Sequence, residues 1–341
     1  MAQNDIGIDL GTTTVIIYVE GRGIVLNEPT IVAVDTDSDK VLAVGDEAYK
    51  MVGRTPAHII AARPLKDGVI SDHVLTREIV RRFMLKAYHS QVVKPRVAVC
   101  VPAAISGIES DAAVEAVVAA GARKVYLVDE PIAAALGAGI DIMQPRGHLV
   151  VDIGGGTTDI AVISMGGKVQ SSSVKMAGNT LDAAIVRHMR RKFKLLIGEK
   201  SAEILKREVG CCTPHAGFSA TTEVKGRSIE TGLPRRMEIR TEDLYEPIDD
   251  CMDELAVAVH SVLERTPPEL AGDIFTEGML MTGGGALLRG LDVYLSEKLK
   301  IKVRAAEDPI NCVAIGTGKS LAMAERLEAG FVDATPGLGK H

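Results

Sequence analysis

The chain contains no tryptophan, and aromatic residues make up only 3% of its 341 positions. It therefore lacks the stacking platforms that hold single-stranded nucleic acid. A formal net charge of −6 removes the basic surface that nonspecific nucleic-acid binding needs, so no nucleic-acid partner is expected. The five cysteines (Cys100, Cys211, Cys212, Cys251 and Cys312) are odd in number and show no CxxC spacing, which fits a reducing cytosol without structural zinc. Adjacent cysteines bridge only with strain, so Cys211-Cys212 is read as two free thiols. The eight histidines form no HxxxH or HxH pair. No apolar run approaches the roughly 20 residues of a membrane-spanning helix. Met1-Ala2-Gln3-Asn4-Asp5 enters a strand at once, so neither a signal peptide nor an N-terminal amphipathic anchor is expected. No GxGxxG follows a strand. Gly316-Thr317-Gly318-Lys319-Ser320 looks like the end of a P-loop, but Val313 stands where that motif needs its first glycine, and the segment is read as helix packing.

A short pattern occurs twice. Ile8-Asp9-Leu10-Gly11-Thr12-Thr13-Thr14-Val15-Ile16-Ile17 is matched by Val151-Asp152-Ile153-Gly154-Gly155-Gly156-Thr157-Thr158-Asp159-Ile160. In each, an apolar strand ends in Asp, a Gly/Thr turn follows, and a second apolar strand begins. Glycine permits the tight turn, and its bare backbone N–H groups, with the threonine hydroxyls, form a nest for phosphate oxygens. A carboxylate beside that nest repels phosphate unless a divalent cation lies between them. Two such hairpins facing each other would hold a Mg–polyphosphate, with Asp9 and Asp152 on the hydrated Mg²⁺ and Gly11 to Thr14 and Gly154 to Thr158 on the phosphates. A single strand-end Asp commonly caps its own turn; two, each with the same turn behind it, make that reading improbable. Asp159 is the less certain of the acids, because at a turn it can bond its own backbone.

Strand-like and helical runs alternate, the signature of an α/β fold. Hydrophobic residues at 46% and 341 positions suffice for two domains with buried cores. Helices are expected over 76–88, 110–120, 181–193, 201–209, 241–264 (interrupted near Pro247), 286–300 and 314–327. Strands are expected over 6–10, 15–19, 30–34, 41–44, 96–101, 124–128 and 279–282, and a short hairpin within 210–232. Residues 141–147 read as the link between two similar lobes: a first domain over 1–143 to which 315–330 returns, and a second over 144–314 with 179–240 as its smaller part. Residues 331–341 are expected to be a disordered tail.

Three further features join the hairpins. Gly283-Gly284-Gly285, after a strand and before a helix, lets backbone approach a ligand and reads as the adenosine end of the cleft. Glu130, at a strand end where a helix begins, could orient water for attack on a γ-phosphate, or simply match the helix charge. Glu203 and Lys206, one turn apart, could bracket a ribose or base, but spacing alone favours a surface ion pair.

The two hairpins, Glu130-Pro131 between them and the late triple glycine together resemble the actin/Hsp70/sugar-kinase ATPase superfamily. Gly23-Ile24-Val25-Leu26-Asn27-Glu28-Pro29, Arg63-Pro64-Leu65-Lys66-Asp67-Gly68-Val69-Ile70, Leu263-Glu264-Arg265-Thr266-Pro267-Pro268 and Gly283-Gly284-Gly285-Ala286-Leu287-Leu288-Arg289-Gly290 narrow the resemblance to the bacterial actins of the MreB/Mbl family, from about Asp5 to Leu327. Asp159 and Ser171 to Gly178 look nearer the Mbl branch. The resemblance implies an actin-like ATPase fold, two lobes each with a large and a small subdomain around a nucleotide cleft. It implies ATP and Mg²⁺ as cofactors, and slow hydrolysis with Glu130 as the catalytic acid and Thr157 beside it. Glu203 and Lys206 would then face the nucleoside, and Gly283, Gly284, Gly285, Ala286 and Leu287 the adenine. It also implies self-assembly into filaments in the cytoplasm at the inner face of the membrane, with the membrane-bound cell-wall synthesis machinery as partner, in the service of rod shape. Thr13-Thr14 depart from the family's usual Ala-Asn. In the membrane-dipping loop of the family only Val92 and Val93 are apolar candidates here. The competing readings are a small-molecule (sugar-type) kinase, a chaperone-like or solitary ATPase, and a nucleotide-binding scaffold without turnover.

Overall fold

The computed structural model describes residues 5–88, 94–101, 107–324 and 330–336; Val92 and Val93 lie outside them. Strands β1 (Asp5–Leu10), β2 (Thr14–Val19) and β3 (Gly23–Pro29) form an antiparallel meander. A small side sheet follows, of β4 (Val32–Asp35), β5 (Lys40–Val44) and, after helix α1 (Asp46–Met51), β6 (Ile59–Ala62). A two-residue hairpin, β7 (Leu65–Lys66) and β8 (Val69–Ile70), leads into α2 (His73–Ala87). Then β9 (Arg96–Val101), α3 (Gly107–Ala119), β10 (Lys124–Asp129) and α4 (Glu130–Gly137) complete the first half. Because β1, β9 and β10 run parallel, helices must cross over between them and cover the sheet; these strands are accordingly apolar apart from charged residues at or next to their ends.

The second half repeats the plan. The meander is β11 (His148–Ile153), β12 (Thr158–Ser164) and β13 (Gly167–Val174). Helix α5 (Gly178–Phe193), β14 (Leu195–Leu196), α6 (Glu199–Val209), β15 (Thr221–Ser228) and β16 (Pro234–Arg240) build a second side unit. Helices α7 (Tyr245–Glu264) and α8 (Pro268–Glu277) precede β17 (Met279–Thr282), α9 (Leu291–Leu299) and β18 (Val303–Ala305). The two main sheets have matching orders, β3-β2-β1-β9-β10 and β13-β12-β11-β17-β18. Between them lie α4 and α10 (Cys312–Ser320), in an apolar layer that joins Ala98 and Tyr126 of one sheet to Val150, Ala161 and Ile163 of the other.

That layer depends on glycine. A Cβ on Gly316 would stand 1.7 Å from the Ala133 carbonyl oxygen, and one on Gly137 would stand 1.8 Å from that of Cys312. The P-loop-like string is therefore a helix–helix contact, with Gly316, Thr317, Gly318 and Ser320 buried in α10.

Several boundaries differ from expectation for identifiable reasons. Helix α2 starts a turn early because the Asp72 carboxylate accepts the Leu75 N–H at 2.9 Å. The interruption near Pro247 is a 3₁₀ turn, Thr241–Leu244, ahead of α7; Pro247 itself sits in the first turn, where its missing donor costs nothing. The expected helix 286–300 is broken: a 3₁₀ turn over Gly284–Leu287 ends before Gly290, which is left-handed at φ 72, and only then does α9 begin. Helix α8 was not anticipated and opens with Pro268 at its first position. The tail is not disordered from 331. Strand β19 (Phe331–Asp333) pairs antiparallel with β10 and extends the first sheet, anchored by Phe331 stacked 5.0 Å from Tyr126; residues 337–341 lie outside the described part. All five cysteines are free and buried.

Replacing Gly316 by Ala forces α4 and α10 apart, and we expect it to lower unfolding free energy by about 2 kcal/mol, measured by the denaturant midpoint; an unchanged midpoint would contradict this packing.

Candidate functional site

Each hairpin brings an Asp to the floor of the cleft between the lobes. In the first, Asp9 pairs with Ile16 across the turn; in the second, Asp152 lies opposite Asp159. The first turn is fastened from outside, since the Thr30 hydroxyl donates to the Gly11 carbonyl (2.7 Å) and the Thr30 N–H to that of Thr13 (2.9 Å). The second is fastened by the start of α5, whose Gly178 and Asn179 N–H groups donate to the carbonyls of Gly154 (3.1 Å) and Gly155 (2.8 Å).

The two turns touch tip to tip. A Cβ on Gly155 would fall 1.6 Å from the Thr13 hydroxyl oxygen, and one on Gly156 would fall 2.6 Å from that of Thr12. Thr12 accepts the Gly68 N–H at 2.9 Å, which ties the hairpin to the β7–β8 turn. The Thr13 hydroxyl is buried and has no hydrogen-bond partner among the described residues. A buried hydroxyl left in this way costs free energy unless a ligand atom meets it.

The electrostatics are dominated by acids. Burial, and then the neighbouring Asp152, push Asp9 from its ordinary 3.8 up to about 8. Burial likewise raises Asp152 to about 6, although the Thr282 hydroxyl donates to it at 2.6 Å and favours its charged form. Glu130 is raised well above the usual carboxylate range by burial, then by Asp159, Asp152 and Asp9, and it shares a hydrogen bond with Asp152. Cys100 is pushed up by burial and then by the same acids. Like charges crowded at low dielectric call for a compensating cation. Among the described residues no three His, Cys, Asp or Glu side chains converge to hold a metal alone. A cation between Asp9 and Asp152 would therefore complete its shell with water and ligand oxygens, as Mg²⁺ commonly does with phosphate. The orphaned Thr13 hydroxyl and the glycine-lined turn beside it fit the phosphate end of such a ligand.

Asp9, Asp152, Glu130, Thr12, Thr13, Gly155 and Gly156 line a cavity of about 750 Å³, together with Gly11, Thr14, Gly154, Thr157, Glu203, Lys206, Gly283, Gly284, Gly285 and Leu287. Two expected residues are not on its wall. The Thr158 hydroxyl is buried and donates to the Met176 carbonyl at 2.6 Å, and Ala286 is buried under the triple glycine, within the 3₁₀ turn. Glu203 and Lys206 do not pair with each other. Lys206 contacts Asp182 (2.9 Å) and donates to the Gly178 carbonyl (3.1 Å), which anchors it beside the second hairpin. Residues that sequence reasoning missed also line the cavity, among them Tyr49, Arg63, Lys66, Asp182 and Lys200.

Two sheets of matching order, each presenting a Gly/Thr hairpin and a carboxylate to a shared cleft, define the actin-like class of two-lobed proteins. The chain belongs to the MreB/Mbl family, whose description (MreB/Mbl protein) matches residues 3–329. It is 51% identical to the cell shape-determining protein Mbl of Bacillus cereus over 328 residues, covering 96% of this chain and 98% of that one. It is 46% identical to the cell shape-determining protein MreB of Escherichia coli, with 95% and 94% covered. Among solved structures, MreB5 of Spiroplasma citri bound to ADP superposes with a TM-score of 0.90 at 36% identity, covering 95% of this chain and 98% of that one. The MamK double helical filament, at 22% identity, shares the fold with a TM-score of 0.77. No helix among the described residues is long and apolar enough to cross a membrane.

Because the folded chain holds protons on Asp9 and Asp152 that the unfolded chain releases near pH 4, it binds more protons in the window from about 4 to about 8. Stability then falls as pH rises through that window. Denaturant midpoints taken in chelator should drop between pH 5 and pH 8, and Asp9→Asn should flatten the slope; a midpoint that rises with pH would contradict the assignment.

Proposed function

We propose that this chain is an ATP-binding, actin-like cytoskeletal protein that polymerises at the inner face of the cell membrane, organises cell-wall synthesis and maintains rod shape. The observation that carries the reading is the pair of facing hairpins, with acids that want a cation and a buried Thr13 hydroxyl that wants an acceptor. The names of the Mbl and MreB relatives support the shape-determining role and favour it over a small-molecule kinase. A nucleotide is the ligand because MreB5, at 36% identity, is described as bound to ADP and to AMPPNP.

In this reading Asp9 and Asp152 hold Mg²⁺, which when bound neutralises charge on the phosphate oxygens. The hydroxyls of Thr12 and Thr13, with the turn N–H groups of Gly155, Gly156 and Thr157, cradle the phosphates. The triple glycine and Leu287 face the base, and Glu203 and Lys206 face the sugar. Glu130, raised by burial and by its acidic neighbours, orients water and, in its ionised form, accepts its proton. Contacts between subunits close the lobes and complete this geometry, so hydrolysis is slow in the monomer and follows assembly.

With Mg–ATP the purified chain should sediment as filaments visible by negative-stain electron microscopy, and anionic vesicles should recruit them. Asp152→Ala should abolish the filaments. Glu130→Gln should keep them while slowing phosphate release on the order of a hundred-fold. A chain that stays monomeric with and without vesicles would overturn the cytoskeletal reading.

A further inference from the structure

The side units of the two lobes meet across the mouth of the cleft through Tyr49. Tyr49 of α1, carried by the side sheet of the first lobe, donates its hydroxyl to the Glu203 carboxylate of α6 in the second, at 3.1 Å and across 154 residues of chain. The Lys200 ammonium, one turn earlier on α6, sits 4.3 Å from the centre of the Tyr49 ring. Both ends of the contact are otherwise supported. Arg207 pairs with the second oxygen of Glu203 at 3.8 Å, and Tyr49 and Glu203 are both partly shielded on the cavity wall. Burial, and then Glu203, raise the Tyr49 hydroxyl above its ordinary range, so it remains a donor throughout the physiological range.

We propose that Tyr49 is a positioning and gating residue of the nucleotide site: it holds the Glu203 carboxylate across the cleft mouth, so that the bound nucleotide escapes only when this hydrogen bond breaks. The inference rests on the nucleotide reading above. Its physical content is that the two side units approach each other through a polar strap instead of an apolar interface. The contact is strong enough to bias closure, and a single hydrogen bond is weak enough to open thermally. Lys200 adds a cation–π contact that keeps the ring oriented, as such pairs do at partly exposed sites.

The test is stopped-flow release of etheno-ATP, whose label lies on the base and leaves the ribose free, from the full-length chain with Mg²⁺. Tyr49→Phe keeps the ring under Lys200 and removes only the hydroxyl. It should speed release roughly five-fold, the weight of one hydrogen bond, with little change in thermal midpoint. In a Glu203→Ala background the same substitution should change nothing further, because its acceptor is gone. Unchanged release in Tyr49→Phe, or an equal acceleration in both backgrounds, would overturn the strap while leaving nucleotide binding intact. Failure of the unmodified chain to bind etheno-ATP would overturn the nucleotide reading and the strap together.

Discussion

The repulsion among Asp9, Asp152 and Glu130 is the constraint around which the cleft is organised. Each is brought there by a strand end whose position is set by an apolar sheet, and none can move away without breaking a hairpin or a helix start. Burial raises all three above their ordinary range. A fold stores such a cost only where something recovers it. A divalent cation bridged to phosphate would do so, and the turns on either side supply the glycines and hydroxyls that a phosphate chain requires.

The rest of the architecture makes the two hairpins face each other and lets them separate. The α4–α10 layer packs backbone against backbone through Gly137 and Gly316, which makes it a stiff base under the cleft. Above it the side units join through polar groups, including Tyr49 and Glu203. A rigid base with a polar mouth suits hinge-like closure. Such closure is how a filament contact on the outer surface would reach Glu130 at the floor.

Much of this was legible because it is local. Asp, Gly, Thr and two apolar strands within ten residues specify each hairpin with no information from elsewhere, and the repeat made the pair recognisable. The P-loop-like string was legible as packing because one position, Val313, broke its spacing. What was hidden depended on partners distant in sequence. Lys206 was set beside Glu203 by spacing, yet its contacts are Asp182 and the Gly178 carbonyl, both on the first turns of α5. Tyr49 carries no motif, and its role arises only when two side units fold against each other. The strand at Phe331 was missed because three residues give no periodicity; the edge of β10 and the ring of Tyr126 order it instead. Thr158 looked like its neighbour Thr157, but strand alternation turns it into the core.

The most direct test of the two-hairpin clamp is calorimetric binding of ATP, ADP and adenosine to the unmodified chain, each with Mg²⁺ and with chelator. The account predicts that affinity depends on both the phosphates and the cation: ATP binds tightly with Mg²⁺, far more weakly in chelator, and adenosine weakly in both. Adenosine binding as tightly as Mg–ATP, or ATP binding indifferent to the chelator, would contradict it.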